Sequence, residues 1–260
     1  MHTVGSNPRR VVPDTLNAMD VAFPLGYPFD VPSHSFLWVA GRTELVSSSS
    51  LIPDPTTRRH AILAIGSNAS PAQLTRKFGD DRFVDPSSPD GCIPVISAEV
   101  DGVDVVYGAH LAEYGALPAT LVDTPGSCAH VFVTWLTTAQ LERMNETEGL
   151  GPSYQLRQVT KVRSQGKDVD SAMSYVTVEG VAVLDGGPLG LVGIQAPGSS
   201  WPRGSQRRAW DLLSIDMGRG TDGTALLDSV LHSRRWRGRV ESHLASHRLA
   251  ETQAPVVAWS

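Results

Sequence analysis

Cysteine is scarce: Cys92 and Cys128 are the only two in 260 residues. Two cysteines far apart in the chain exclude a four-cysteine zinc site and a disulfide-built scaffold, and they point to a reducing compartment. Long apolar runs are missing as well, and nothing approaches the roughly 20 residues a membrane-spanning helix needs. Positive charge is in short supply, with 22 Lys and Arg against 27 Asp and Glu and a formal charge of −5. A net-acidic body attracts neither nucleic acid nor an anionic membrane unless its basic residues are strongly segregated. Arg9-Arg10 suggests a twin-arginine leader, but Pro13, Asp14, Asn17 and Asp20 interrupt the next stretch before an apolar core can form. The expectation is a cytoplasmic protein. The rest of the composition, 41% hydrophobic and 19% charged residues, describes a globular chain of one large domain or one domain with additions.

Residues 1–57 hold Pro8, Pro13, Pro24, Pro28, Pro32, Pro53 and Pro55 and the serine run Ser47 to Ser50, the texture of an extension with a linker. Phe23, Tyr27, Phe29 and Phe36-Leu37-Trp38-Val39 are too apolar for a solvated tail, and the last four suit an edge strand. From His60 the texture becomes strand-rich. Ala61-Ile62-Leu63-Ala64-Ile65 reads as a buried strand, succeeded by Gly66-Ser67-Asn68 and by a helix to about Phe78, with Ser70 and Gln73 as a capping box and Pro71 at the first helical position. Val95–Val100 and Val103–Tyr107 flank Asp101-Gly102, a hairpin turn, and Ala119–Val122 and Ala129–Leu136 flank Asp123-Thr124-Pro125-Gly126. Thr137-Thr138-Ala139-Gln140 opens a second capped helix that Gly149 ends. Strands are expected at Tyr154–Val162, Ala172–Val178 and Val181–Leu184, the last two joined across Glu179-Gly180, and helices at Gln206–Ile215 and from Thr224, with an interruption near Gly238. The predicted class is α+β: a partly closed barrel over residues 58–195, the 1–57 extension before it and a helical extension at 196–260 after it.

Several residues could carry chemistry. Gly66-Ser67-Asn68 lies where a strand meets a capped helix, so its amides could converge on an anion; an ordinary strand-to-helix turn reads the same way. Glu146 and Glu148 end the second helix, where a carboxylate opposes the helix dipole, and being two apart they cannot share a face. Ser67 as a nucleophile lacks the Gly-x-Ser-x-Gly elbow. Tyr107, His110 and Glu113, beside Tyr114-Gly115, could line a pocket or simply end a strand. His243 and His247 have a metal-binding spacing but no third ligand. Arg234, Arg235, Arg237 and Arg239 around Trp236 could grip a phosphate backbone, or form a solvated helix face with the indole as its anchor.

Ala64-Ile65-Gly66-Ser67-Asn68 with Gln73-Leu74 resembles the Tyr-Gly-Ser-Asn loop of γ-glutamylcyclotransferase-like proteins. Pro118-Ala119-Thr120-Leu121-Val122 through Pro125-Gly126 resembles that family's Ala-Thr-Leu and Pro-Gly segment, and Leu136 to Leu141 its strand, turn and helix. Glu148-Gly149 with Tyr154 is similar to the Glu-Gly and following Tyr at its catalytic carboxylate. The resemblance implies a small mixed β-barrel with short helices and a pocket for a γ-glutamyl group. The substrate's α-amine would attack its own γ-carbonyl, releasing 5-oxoproline and an amine or amino acid. Glu148 would be the general base and acid, with burial raising its pKa; Ile65, Gly66, Ser67, Asn68 and Tyr154 would bind the substrate. No metal or organic cofactor is implied, and the implied partner is a small molecule rather than nucleic acid or membrane. Ile65 replaces the family's loop Tyr, Asn145 replaces its Asp, and its later Pro-Ser and Tyr elements are not recoverable after Ala182. A non-catalytic binding domain on the same fold is the alternative.

Overall fold

The computed structural model describes residues 20–45, 58–80, 82–170 and 172–250. The serine run at Ser47 to Ser50, the prolines at 8, 13, 53 and 55, and the twin arginines lie outside them. The elements are α1 (Ala22–Leu25), β1 (Phe36–Val39), β2 (Arg42–Leu45), β3 (His60–Ala64), α2 (Pro71–Phe78), β4 (Cys92–Tyr107), β5 (Ala119–Leu136), α3 (Thr138–Glu148), β6 (Tyr154–Val159), β7 (Val162–Ser164), β8 (Lys167–Asp168), β9 (Ala172–Thr177), β10 (Val181–Ala182), β11 (Gly190–Leu191), β12 (Arg203–Gly204), α4 (Gln206–Asp216), α5 (Gly223–His232), α6 (Arg234–Ser246) and β13 (Arg248–Leu249). The class is α+β. Eleven strands form one sheet whose main path runs β12-β11-β4-β5-β3-β9-β6, with β1, β2, β7 and β8 attached beside β4. No pairing among the described residues closes this path into the expected barrel. Among the same residues no helix is long and apolar enough to cross a membrane.

Two predicted hairpins are one. Asp101-Gly102 does not turn the chain back; β4 continues through it, and β5 continues through Asp123 to Gly126. The two long strands pair antiparallel from Val95↔Thr134 to Asp101↔Cys128, then resume at Val103↔Asp123. One residue of β4 therefore faces four of β5, a wide bulge. The Ser127 hydroxyl stitches it, lying 2.7 Å from both Val103 O and Thr124 O with one hydrogen to donate to either. Turn residues that look like chain reversals in sequence are absorbed by a ladder long enough on both sides to hold register.

The strand over Ala61–Ile65 is buried because both faces of the sheet are covered. Ile62 and Ala64 join a cluster with Leu74 and Phe78 of α2 and Leu141 and Met144 of α3. Ala61, Leu63 and Ile65 join another that includes Trp210, Leu213, Leu227 and Val240 of α4 to α6. Phe36–Val39 forms a strand but not an edge: it pairs with β4, Phe36 opposite Val95, and with β2 on its other side, Phe36 opposite Leu45, so β2 takes the outer position.

The helix starts divide. Thr137 and Gln140 form a complete capping box, and Gly149 ends α3 at φ +67°, a conformation glycine reaches without strain. Ser70 forms none: its hydroxyl caps nothing and is buried without a partner. Gln73 accepts from Arg76 Nε instead. Tyr154 to Val162 breaks at Lys161 (φ +57°) into β6 and β7. β9 and β10 do not pair across Glu179-Gly180; β10 pairs with β13. Gly238 lies inside an unbroken α6, and the interruption falls at Ser233, whose side chain accepts from Trp236 N.

An ion pair between a buried carboxylate and a partly exposed guanidinium locks the far edge of the sheet. Asp104 on β4 is fully buried and accepts from Arg203 Nη2 at 2.7 and 2.8 Å and from Ser199 Oγ at 2.5 Å. Asp104→Ala removes the carboxylate partner of the partly exposed Arg203 and of Ser199 and is expected to cost about 2 kcal/mol, read from the urea unfolding midpoint.

Candidate functional site

The chain leaves β3 at Ala64 and makes a single 3-10 turn over Ser67–Ala69 before entering α2. Ser67 and Asn68, in that first turn, have no backbone acceptor for their amides among the described residues, as helix starts dictate. Facing this loop is the end of α3, where Glu148 is the last helical residue. The two segments line a cleft of about 490 Å³ together with Tyr27, His110, Tyr114, Tyr154 and Tyr175. Ile65, Gly66, Ser67, Asn68, Glu148 and Tyr154, all singled out in the sequence, meet here. Glu146 reaches the cleft rim but is 65% exposed and pairs with Arg143, whereas the Glu148 side chain is 15% exposed. As the helical spacing requires, only one of the two acids enters.

Glu148 is not alone. The Lys77 ammonium, on a side chain 4% exposed, is ion-paired with its Oε1. The same Nζ donates to Asn68 Oδ1 at 2.6 Å and approaches Met144 Sδ at 3.4 Å. Lys77 is a site residue that sequence reasoning missed. Its signal was present: it shares the buried face of α2 with Gln73, Leu74 and Phe78, and a lysine in an apolar stripe needs a buried partner.

Ile65 stands where the resembled family carries tyrosine, yet a phenol still reaches the loop. Tyr27, from the segment preceding β1, accepts a hydrogen bond from Ala119 N at 2.7 Å. A Cβ on Gly66 would lie 2.2 Å from the Tyr27 oxygen, so glycine there is a condition of this approach. No periodicity links Tyr27 to a loop almost 40 positions later. Tyr175 was likewise missed; its hydroxyl donates to Asn145 Oδ1 at 2.5 Å, while Asn145 Nδ2 is buried without a partner.

The electrostatics follow from burial. Tyr27 and Tyr154 have hydroxyl pKa values raised well above the ordinary range, by desolvation first and by further contributions that include the charge of Glu148. Tyr114 is pushed up to about 12 by burial and then Glu148, with Arg76 opposing. His110 is pushed down to about 4 by burial and by Arg237. It is therefore neutral at physiological pH, with Nδ1 bonded to Thr177 Oγ1 at 2.8 Å and its ring edge-on to Tyr154. The neutral phenols and the neutral imidazole surround the Lys77–Glu148 pair, and Arg76, Glu113 and Glu146 add charge to the lining.

Other candidates fall elsewhere. Tyr107 is fully buried away from the cleft, its hydroxyl donating to Gly204 O at 3.0 Å; Glu113 does line the cleft. His243 and His247 stack at 4.3 Å, and among the described residues no three His, Cys, Asp or Glu side chains gather as a metal set would. The Arg219 and Arg239 guanidiniums lie over the Trp236 ring, 4.8 and 4.9 Å from its centroid. Arg237 pairs with Glu241 and donates to the carbonyls of Leu111, Ala112 and Glu113. The arginine cluster thus spends Arg237 on bracing the cleft wall.

No protein-family model and no curated protein matches the chain. Solved structures do. One titled "Gamma-glutamyl cyclotransferase" is 15% identical with a TM-score of 0.38, over 77% of this chain and 94% of its own. YkqA from Bacillus subtilis is 13% identical with a TM-score of 0.38, over 83% of this chain and 71% of its own. A protein from Arabidopsis thaliana known from a solution structure is 19% identical with a TM-score of 0.34, over 51% of this chain and 74% of its own. The chain is similar to these proteins at low identity, and what its cleft can do depends on its own side chains.

Two outcomes are expected. Gly66→Ala drives a methyl into the Tyr27 hydroxyl and should cost roughly 2 kcal/mol, measured by thermal unfolding. For His110, the unfolded chain takes a proton near pH 6.5 and the folded chain only near 4. The stability that neutral His110 contributes is full above 6.5 and is lost as pH falls toward 4. His110→Gln should flatten this part of the stability curve, read by urea denaturation across that window.

Proposed function

We propose that the cleft binds a γ-glutamyl compound and releases 5-oxoproline from it by intramolecular acyl transfer, an enzyme activity of the lyase class. The observation that carries the reading is the juxtaposition of Glu148 with the Ser67 and Asn68 amides across one small cleft. Once the substrate's α-ammonium has lost one proton to water, the neutral amine attacks the γ-carbonyl carbon. The ring nitrogen then carries a surplus proton, which Glu148 takes as general base. The carbonyl oxygen becomes an oxyanion, which free backbone amides are suited to hold. Collapse of the intermediate breaks the bond to the leaving nitrogen, and Glu148 returns the proton to it as general acid. Atoms balance: the γ-glutamyl amide becomes 5-oxoproline and a free amine. Ile65, Gly66 and Tyr154 shape the walls, and Tyr27 supplies a phenol where Ile65 has none.

A second reading, a binding domain without turnover, takes support from the ion pair, because Lys77 already occupies one oxygen of the proposed base. Incubating the wild type and Glu148→Gln with γ-glutamyl dipeptides, γ-glutamyl amines and glutathione, and quantifying 5-oxoproline by mass spectrometry, separates the two. The cyclotransferase reading expects release by the wild type and a loss of roughly 100- to 10,000-fold in the variant. Saturable binding with no product from any compound supports the binding domain.

A further inference from the structure

We propose that Lys77 is the positioning residue of the site: it fixes the Glu148 carboxylate against the Ser67-Asn68 loop and acts only through those two groups. This rests on the cyclotransferase reading and extends it to a residue outside the resembled motifs.

Donor count limits what Lys77 can do. A lysine ammonium has three N–H bonds and no acceptor. At Lys77 there are three acceptors, Asn68 Oδ1, Met144 Sδ and Glu148 Oε1. No hydrogen is left over for a substrate, so the direct alternative, Lys77 as the anchor of a substrate carboxylate, would require breaking one of these bonds in a nearly closed environment. Glu148 is engaged on one side only. Its Oε1 takes Lys77, and Oε2 has no hydrogen bond among the described residues. One oxygen anchors the group while the other is available for proton transfer.

The three acceptors also have a pattern. Asn68 belongs to the amide loop, and Met144 and Glu148 are one turn apart on α3. Lys77 itself is on α2, and its carbonyl accepts from Arg143 Nε of α3 at 3.0 Å. The two halves of the site, loop and carboxylate, come from segments some 80 residues apart, and one ammonium touches both. Glu148 further ends a helix, where the dipole disfavours negative charge. Without the ammonium, the carboxylate would be expected to swing toward water and away from the loop. Positional control of this kind is what intramolecular acyl transfer demands, since small displacements of a proton-transfer group cost rate steeply.

The test uses Lys77→Met, which keeps length and removes charge and donors, in the full-length protein with whichever γ-glutamyl compound the wild type turns over. The expected result is a fall in kcat of about 100-fold with KM within a few-fold of wild type, the signature of a group that acts after binding. A kcat within two-fold of wild type overturns the proposal. So does a ten-fold rise in KM at unchanged kcat, which would make Lys77 a substrate anchor. If Lys77→Met does not fold, Lys77→Gln, which keeps an N–H donor in the site, is judged by the same criteria. If the wild type releases no 5-oxoproline, the cyclotransferase reading fails by itself. The positioning claim is then decided by a crystal structure of the variant: Glu148 displaced from the Asn68 loop supports it, and Glu148 unmoved overturns it.

Discussion

The antiparallel ladder between β4 and β5 is the constraint on which the rest of the structure hangs. Every neighbour takes its register from it: β3 pairs with the end of β5 through Ala64↔Phe132, and β1 pairs with the start of β4 through Phe36↔Val95. A one-residue slip would turn each strand's buried side chains to the other face. The ladder is also strongly bent. At about 3.3 Å per residue a flat strand would hold Ala119 more than about 20 Å from the chain that leaves β3 opposite Phe132. Instead, the Ala119 methyl lies 3.1 Å from where a Gly66 Cβ would be. The wide bulge between Asp101/Cys128 and Val103/Asp123 is the irregularity within that span, and bulges bend and twist a ladder. The curl brings the start of β5 to the Gly66 loop, and the cleft forms inside it.

Within the cleft, charge is arranged by burial. Glu148 and Lys77 come from helices on the same side of the sheet, packed through Leu74, Phe78, Leu141 and Met144. That apolar packing brings an anion and a cation to one spot where neither could stand alone. The surrounding phenols and His110 hold no charge near neutral pH, so the Lys77–Glu148 pair is the buried charge of the cleft, with Arg76, Glu113 and Glu146 as the other charged residues of its lining.

The segments that flank the middle of the chain both contribute to the cleft. Tyr27 reaches under the Gly66 loop, and Phe23 and Phe29 pack around Tyr114 at ring separations of 5.2 and 6.3 Å. From the other end of the chain, Arg237 holds three carbonyls of the 111–113 wall. A Cβ on Gly115 would meet Leu231 at 2.9 Å and Leu227 at 3.1 Å, so the loop after that wall lies tight against α5. The described residues of both flanking regions pack against the site.

Local chemistry determined much of this in advance. The strand over most of Ala61–Ile65, the capping box at Thr137, the glycine stop at Gly149 and the entry of one acid rather than two follow from short-range rules: apolar runs, capping hydrogen bonds and helical spacing. The Gly66-Ser67-Asn68 loop and Glu148 stood out in sequence only through the resemblance of a few adjacent residues, and the structure places them on one cleft. What only the tertiary structure decided were features set by contacts between distant residues. Asp101-Gly102 and Asp123 to Gly126 have turn chemistry, but pairing on both sides overrides it. Lys77 shows only as a lysine in an apolar stripe until α3 brings Glu148 to it. Tyr27 reads locally only as a residue too apolar for a tail, and nothing near it points to the site, because its partner, Ala119 N, is defined by the curl of a ladder formed mostly by other residues. Sequence patterns report the free energy of neighbours in the chain; the cleft depends on neighbours in space.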